Sequence, residues 1–342
     1  MVFFVLNKVF NKILIIDGSY ILHRALHVPS LFELKAPSGE KSGGIYQVLK
    51  SINYELKRSD DYFPVICWDA GLSKRRVNAD INYKRAIDRI NNDVVLTKET
   101  INDDYVTQYR KQRSVLIDTL SFAGIPSLRF NGWEGDDLIY ILSKLSNQSL
   151  VLTDDKDMLQ LINENCKVFR PMKDIRYDVD KLLEEYNINN VFEFVLNKAI
   201  VGDESDNIPG CCVGVSDGTS NNIVKIFNAC KEEGISFSEI IHNPYDLKIF
   251  CKNHNIKFFK SYVNFDLQRF KTNLELIDLN RVQKDITEDI VTSIISIVSN
   301  CQNTINYFAF IQRLNEYAIH DVSADELTMN VKSRLKNIEV VS

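Results

Sequence analysis

The sequence predicts an α/β fold with a mostly parallel sheet, and three patterns support this prediction. Fully apolar runs of strand length alternate with longer stretches of helical character, the order expected of β-α-β units. The runs do not alternate with polar residues, as is typical of strands covered by helices on both faces. An acidic residue follows each run closely. The runs are 13–16, 64–68 and 149–152, and the helical stretches include 45–57 and 114–122.

The composition indicates an ordinary globular chain. With 342 residues, of which 45% are apolar and 25% charged, the chain is long enough to bury a hydrophobic core and is neither disordered nor fibrous. A net charge of −5 and a pI of about 5.7 exclude a uniformly basic surface that coats nucleic acid. They leave open a local basic groove, because binding follows the distribution of charge.

The cysteines and the hydropathy predict a cytoplasmic protein. The seven cysteines include no C-x-x-C pair, and an odd number of dispersed cysteines is typical of reduced thiols in a cytosol. No apolar run is long enough to cross a bilayer, so we expect no membrane partner. We expect the chain to act as a monomer.

Two parts of the chain differ in pattern. Up to residue 177 apolar strands alternate with helices, whereas from 178 to 342 helical stretches are separated by polar loops. We therefore expect the sheet to lie within 1–177 and the region 178–342 to be helical.

Acidic residues follow the carboxyl ends of the predicted strands. A single acid at such a place is usually a helix cap or a turn former. Open α/β sheets, however, build their sites along this edge, and several acids there together predict a functional site. The acids are Asp17, Asp69 and Asp155 after the three runs, and Glu134, Asp136 and Asp137 around the start of a predicted helix.

A pocket of many carboxylates requires cations. Two negative charges about 5 Å apart repel by roughly 3 kcal/mol at an effective dielectric constant near 20, so such a pocket would otherwise open or take up protons. Oxygen ligands select hard divalent ions, Mg²⁺ or Mn²⁺, and the five histidines and seven cysteines show no zinc spacing. Two such ions can activate water and stabilise the leaving oxygen of a phosphodiester.

Five acidic strings carry a resemblance to a known family. They are IDGS at 16–19, WDAG at 68–71, GWEGDD at 132–137, TDDKDMLQL at 153–161 and VGDESDNIPG at 201–210. In this order the chain resembles the flap endonuclease and 5′→3′ exonuclease family (5′ nuclease superfamily), to which phage ribonuclease H and the 5′-nuclease domain of bacterial DNA polymerase I belong. Because no polymerase follows Ser342, the chain resembles a stand-alone, phage-type enzyme, which would act in the host cytoplasm.

The resemblance covers about 13–230 and implies a fold and a metal site. The fold is a PIN-like (resolvase-like) catalytic domain at 1–177, followed by a helical region at 178–342 with a helix-hairpin-helix (H3TH) motif at about 196–230. The implied ligands of the first Mg²⁺ are Asp17, Asp69, Glu134 and Asp136. Those of the second are Asp155, Asp157 and Asp203, with Asp136 or Asp155 as a bridge. Asp137 and Asp206 also match acids of the family, as ligands or in an outer or capping role.

A basic stretch follows Asp69. By resemblance, Lys84 and Arg76 contact the scissile phosphate and act in catalysis together with the metal-holding Asp155 and Asp157. Tyr83 would stack on the terminal base, and Arg85 or Arg89 would replace a further arginine of the family. The alternative is a solvated, charged helix face. Residues at about 83–113 would form the helical arch through which single strands pass.

A glycine-containing loop occupies the place of the family's duplex-binding turn. Gly214, Ser216 and Thr219 would contact duplex phosphates through backbone N–H groups. Because Ser216 and Gly218 replace a glycine and a lysine of the family pattern, binding of K⁺ at this loop stays open. The alternative is a left-handed turn between two helices.

These features predict a structure-specific 5′ nuclease that uses two Mg²⁺ ions, for which Mn²⁺ can substitute. Its substrates would be DNA with 5′ ends or flaps and RNA–DNA hybrids, including RNA primers in replication. A single-strand-binding protein or a sliding clamp is an open partner for the C-terminal region. Two alternatives remain: a PIN-like ribonuclease that cuts single-stranded RNA, and a non-catalytic protein that binds branched DNA.

Overall fold

The computed structural model describes residues 6–59, 61–85, 103–211, 217–241, 243–256 and 265–339. Within these ranges no helix combines the length and the apolar character that crossing a bilayer requires.

A six-stranded sheet confirms the predicted α/β fold. The strand order is β3-β2-β1-β4-β5-β6. All neighbouring strands are parallel except β6, which runs antiparallel to β5. The strands are β1 (Phe10–Asp17), β2 (Phe63–Cys67), β3 (Ser127–Leu128), β4 (Ser146–Leu152), β5 (Cys166–Arg170) and β6 (Ile175–Tyr177).

The central strand explains why the apolar runs are continuous. β1 lies between β2 and β4, with Ile15 opposite Val65 on one side and Val151 on the other. Side chains of successive residues point to opposite faces of a sheet, and Ile13 to Ile16 are all buried. Both faces of the strand are therefore covered, as the sequence predicts.

Some helices lie between the strands in sequence, and the others come after the last strand. In the first half they are α1 (Gly18–Leu26), α2 (Pro29–Phe32), α3 (Gly43–Arg58), α4 (Lys74–Ala79), α5 (Asp103–Phe122) and α6 (Gly135–Leu145). In the second half they are α7 (Val179–Tyr186), α8 (Val191–Val201), α9 (Asp217–Glu233), α10 (Phe237–Ile241), α11 (Pro244–Asn253), α12 (Leu267–Ile277), α13 (Glu288–Ser299), α14 (Tyr307–Glu316) and α15 (Ala324–Lys332).

Helix α5 begins earlier than the sequence predicts. The stretch 114–122 is its second half, and the first half carries the polar residues of the predicted arch at 103–113. Tyr109 and Gln112 lie within the predicted arch, but both side chains are buried. Gln112 accepts hydrogen bonds from the backbone N–H groups of Gly44 (2.8 Å) and Ile45 (3.2 Å) at the start of α3. The remainder of the predicted arch, 86–102, lies outside the described residues.

The C-terminal helices pack against the sheet domain. One hydrophobic cluster of buried side chains runs from Phe10 in β1 to Ile338. The Arg334 guanidinium donates to the Leu56 carbonyl at the end of α3 (2.8 Å). The described chain is helical after Tyr177, but the core is continuous across that point. The division at 177 stays a prediction.

The shared core predicts that α15 stabilises the whole molecule. Leu327 is fully buried, whereas Met329 on the same helix is 70% exposed. We expect Leu327→Ala to lower the free energy of unfolding by about 2–5 kcal/mol through the cavity it leaves, and Met329→Ala to change it by less than about 0.5 kcal/mol. Urea unfolding monitored by tryptophan fluorescence and by circular dichroism measures both. Equal effects of the two substitutions would show that α15 is not part of the common core.

Candidate metal centre

The parallel strands bring their acids to one edge of the sheet. Asp17 is the last residue of β1, Asp69 follows β2, and Asp155 follows β4 shortly after Leu152. β1 is hydrogen-bonded to both β2 and β4, so these three chain segments leave the sheet side by side. The sequence-predicted acids after the strands are therefore neighbours in space.

Asp17 lies at the centre of this edge and is buried. Its Oδ1 accepts a hydrogen bond from the Tyr20 backbone N–H (2.9 Å), which caps α1, and its Oδ2 accepts one from the Thr153 hydroxyl (2.9 Å). Burial, and then the charges of Asp69 and Asp155, raise the pKa of Asp17 to about 7 despite these hydrogen bonds. The site thus destabilises the ionised form of this carboxyl.

Asp69, just after β2, forms hydrogen bonds with residues of α1 and α6. Its backbone N–H donates to the Ser19 hydroxyl (2.8 Å), and its Oδ1 accepts a hydrogen bond from the backbone N–H of Gly135 (2.6 Å) in the first turn of α6. A helix N-terminus has free N–H groups that stabilise a carboxylate. This contact brings the acids of α6 towards those of the strands.

Asp136 and Asp155 repel each other within the same pocket. Burial, and next the charge of Asp155, raise the pKa of Asp136 well above its usual range, with further contributions from Asp17 and Asp69. Burial, and next the charge of Asp157, raise the pKa of Asp155 to about 6. Mutual repulsion of this kind is relieved by protons or by cations, and oxygen-only donors fit hard divalent ions.

A second group of acids lies beside the first. Carboxylate oxygens of Asp157, Asp203 and Asp206 lie within 4.8 Å of one another, close enough to share a metal ion. Burial raises the pKa of Asp206, and the charges of Asp157 and Asp203 add to the effect while Lys84 opposes it. We predicted Asp157 and Asp203 for the second ion, and the structure places Asp206 with them.

A tight loop holds Asp203 and Asp206 in place. Asp203 and Ile208 exchange two backbone hydrogen bonds (2.8 and 2.7 Å). Gly202, which precedes them, has a φ of 85°, and a Cβ at this position would lie 2.5 Å from the Ile208 carbonyl oxygen. Glycine is required there by both the backbone conformation and the space.

Lys198 lies between two acids of the second group. Its ammonium forms ion pairs with Asp157 and with Asp203, the latter at 2.7 Å. Burial would lower the pKa of Lys198, but the charges of Asp157 and then Asp203 raise it above its ordinary value. Burial would raise the pKa of Asp203, but Lys198 and hydrogen bonds from Ser205 hold it below its ordinary value.

Glu134 is surrounded by donors from the chain itself. Its Oε1 accepts from the Ser73 backbone N–H (2.9 Å) and pairs with Arg76 (3.1 Å). Its Oε2 accepts from the Tyr83 hydroxyl (3.1 Å) and from the Lys84 ammonium (2.9 Å). Burial would raise the pKa of Glu134, but the charges of Lys84 and Arg76 hold it well below its usual range. Both carboxylate oxygens of Glu134 therefore have donors, which favour its ionised form.

Arg76 and Tyr83 are buried in the described structure, although we expected both side chains to contact nucleic acid. Arg76 is buried, pairs with Glu134 and Asp137 (3.0 Å), and donates from Nε to the Leu276 carbonyl (3.0 Å). The Tyr83 ring is only 3% exposed, so in this conformation it offers no face to a base. A buried guanidinium needs carboxylate partners, and Glu134 and Asp137 provide them for Arg76.

Asp137 and Lys84 complete this ion-pair network. Asp137 accepts a hydrogen bond from the backbone N–H of Glu134 (3.3 Å), so it has the capping role that the sequence left open, and it also pairs with Arg76. Lys84 pairs with Asp206 at 3.7 Å, and its backbone N–H donates to the Asp206 carbonyl (2.8 Å). Lys84 thus connects the two groups of acids.

The remaining predicted contacts cannot be placed. Arg89, Gly214 and Ser216 lie outside the described residues. The backbone of Arg85 is described in the short turn Tyr83–Arg85 and that of Thr219 in α9, but their side chains are not. The predictions for these five residues stay predictions.

Two functional side chains were missed by the sequence analysis. Thr153 donates to Asp17 and also accepts a hydrogen bond from the Asp155 backbone N–H (3.1 Å). Lys198 lies in the last turn of α8. A lysine within the apolar run 194–201 was a signal for Lys198, because a charge there needs a partner; Thr153 carried no comparable signal.

Comparisons with known proteins show which sequences this chain resembles. Residues 12–187 match the family model described as the 5′-3′ exonuclease N-terminal resolvase-like domain. A 5′-3′ exonuclease of Aquifex aeolicus is 25% identical over 282 residues, which cover 80% of this chain and 90% of that protein. A 5′-3′ exonuclease of Buchnera aphidicola is 28% identical over 310 residues, which cover 87% and 96%.

A solved structure shows the same fold. A variant of the D15 flap endonuclease of bacteriophage T5, in a complex with DNA and metal ions, superimposes with a TM-score of 0.55. The match covers 95% of this chain and 100% of that one at 19% sequence identity.

The raised pKa of Asp17 predicts a pH-dependent stability. Between its ordinary pKa of 3.8 and its raised pKa of about 7, the folded protein holds a proton that the unfolded chain has lost. Stability in EDTA should therefore fall as pH rises through this window. A divalent ion should reverse the fall, so Ca²⁺ should raise the melting temperature more at about pH 8 than at about pH 5.

Thermal unfolding across this pH range, with and without Ca²⁺, measures the effect. Asp17→Asn is the control: it removes the titrating group and should flatten the pH dependence in EDTA. A metal-free stability that rises from about pH 5 to about pH 8 in the natural chain, or that is unaltered by Asp17→Asn, would contradict the assignment.

Proposed function

The chain belongs to the family of the 5′-3′ exonuclease N-terminal resolvase-like domain and is a metal-dependent 5′ nuclease; on this premise we propose which residues carry the reaction and what it cuts. The reaction is hydrolysis of a phosphodiester near a 5′ end or at a flap junction. The observation that carries the proposal is the convergence of the buried Asp17 with the partly buried Asp136 and Asp155, whose pKa values are raised by burial and by the charges of neighbouring acids.

The oxygen donors of these acids would suit two Mg²⁺ ions or, in their place, Mn²⁺. The first ion would be held by the group around Asp17, Asp69 and Asp136, and the second by Asp157, Asp203 and Asp206, with Asp155 between the groups. When bound, the ions supply a Lewis acid and an activated water. We expected Glu134 to be a ligand of the first ion. Because its described contacts are all with donors of the protein, we instead assign it the part of holding Arg76, Tyr83 and Lys84 in place.

Lys84 is the residue we assign to the substrate phosphate. Its ammonium is in contact with Glu134 and Asp206 and is partly exposed, so it lies where a phosphate would approach both groups of acids. A cation at this place stabilises charge that develops on the phosphate. Arg76 and Tyr83 hold Glu134, and Glu134 in turn holds Lys84. They therefore act on the reaction by positioning Lys84 and not by contact with the phosphate.

The substrate assignment follows the resemblance to flap endonucleases. A 5′ flap presents a phosphodiester where a single strand joins a duplex, and the arch at about 83–113 would admit that strand. Duplex 5′ ends and RNA–DNA hybrids offer the same kind of bond and enter the proposal through the same resemblance. Duplex contact through Gly214, Ser216 and Thr219, binding of K⁺ there, and a clamp or single-strand-binding protein as partner belong to this proposal. So do a monomeric state and a cytoplasmic location.

Substitution of Asp155, which lies between the two groups, or of Asp157 in the second group should separate chemistry from binding. Asp155→Asn and Asp157→Asn should each lower flap cleavage at least about a hundredfold, a loss of about 2.7 kcal/mol in transition-state stabilisation. Flap binding should remain measurable, because removal of a negative charge does not weaken attraction for phosphate. Single-turnover cleavage of a labelled flap in Mg²⁺, with binding measured by fluorescence anisotropy in Ca²⁺, tests both.

Asp154→Asn is a matched control from the same loop. The Asp154 carboxylate turns to the Met172 backbone N–H and the Tyr20 hydroxyl, and we assign it no part in the chemistry. It should cleave within a few-fold of the natural rate. Robust metal-dependent cleavage by the Asp155→Asn, Asp157→Asn double variant would contradict the proposal.

Substrate choice distinguishes the proposal from its alternatives. We expect a 5′-flap DNA to be cut faster than an unstructured RNA of the same length, because the arch and the duplex-binding loop would orient only the first. Initial rates on both substrates in Mg²⁺ provide the measurement. Faster cutting of the RNA would favour a single-strand ribonuclease. Normal flap affinity without turnover in Mg²⁺ or Mn²⁺ would favour a non-catalytic binding protein.

A further inference from the structure

We propose that Lys198 is a tethered counter-ion that exchanges with the second divalent ion. The inference rests on the proposed function, since it concerns the acids assigned to that ion. In the described structure the Lys198 ammonium pairs with Asp157 and with Asp203, the latter at 2.7 Å. Its side chain is only 20% exposed, as is that of Asp157. This is a partly buried ion pair built into the wall of the site.

The ammonium and a divalent ion would require the same oxygens. Asp157, Asp203 and Asp206 have carboxylate oxygens within 4.8 Å of one another, and Lys198 contacts two of these acids. Like charges a few ångströms apart repel strongly where water is partly excluded. An ion bound by this triad therefore displaces the ammonium or binds more weakly in its presence.

The adjacent cavity gives the displaced side chain a place to go. A cavity of about 360 Å³ is lined by Lys198 itself, by the aromatic rings of Tyr186 and Phe194, and by Ile188. Lysine side chains pack their methylene stems on apolar surface while the ammonium stays in water. Lys198 can thus leave the carboxylates by rotation of its side chain, with no change in α8.

The backbone at Lys198 is held independently of its ammonium. The Lys198 carbonyl accepts the hydrogen bond from the Gly202 N–H (2.8 Å) that closes α8, and the neighbouring Ala199 and Ile200 are fully buried. The helix keeps its position when the side chain moves. The two divalent ions therefore differ in affinity. The second ion is bound more weakly than it would be by the same acids without Lys198.

Calorimetric titration of Ca²⁺ into the nucleic-acid-free protein tests this exchange. Lys198→Met removes the charge and keeps an unbranched side chain, and we expect it to tighten the weaker Ca²⁺ site at least about tenfold. Lys198→Arg keeps the charge and should retain the weak affinity. Lys181→Met is the control, because Lys181 on α7 pairs only with Glu184 at the surface in the described structure.

Thermal unfolding in EDTA provides a second readout that does not depend on turnover. Without its tethered cation, the Lys198→Met variant should melt below the natural protein when metal-free and should gain more from Ca²⁺. Unchanged or weaker Ca²⁺ affinity in Lys198→Met would overturn the inference while leaving the metal site intact. Failure of every variant and of the natural chain to bind Ca²⁺ would instead overturn both the inference and the metal site on which it rests.

Discussion

Repulsion among buried carboxylates is the constraint on which the site depends. A parallel sheet delivers the ends of neighbouring strands to one edge, and here β1, β2 and β4 each end at or shortly before an acid. Asp69 and Asp155 are therefore neighbours of Asp17, which is buried. The fold supplies energy from a continuous apolar core, and part of that energy holds the acids together. Such a pocket is stable only with protons, internal cations or metal ions.

The chain itself supplies part of the neutralising charge. Arg76 and Lys84 pair with Glu134, and Lys198 pairs with Asp157 and Asp203. Glu134 is in direct contact with two of these cations, whereas the contacts of Asp17 in the described structure are hydrogen bonds from Tyr20 and Thr153. The charges of Lys84 and Arg76 lower the pKa of Glu134, whereas burial and the charges of neighbouring acids raise those of Asp17 and Asp136. Metal ions are needed most where the chain offers no cation.

The sequence indicated where the acids would gather but not which cations of the chain would pair with them. Strand-end acids such as Asp17 could be located because a parallel sheet leaves few places for them to go. Arg76 and Tyr83 were expected to face nucleic acid, yet both are buried around Glu134. A sequence interval locates a residue near a site but does not say which way its side chain turns. The sequence does not show that Lys198 pairs with Asp157, because that partner is distant in the chain.

The sequence by itself determined the α/β class, the order of the strands' acids and the kind of ion they select. Those properties follow from local periodicity and from ligand chemistry, both of which are written in short segments of the chain. Only the tertiary structure decided which acids pair with Arg76, Lys84 and Lys198, and that Asp206 joins Asp157 and Asp203. Such pairings depend on ångström-scale distances between segments far apart in sequence, and burial decides which of the competing charges is favoured.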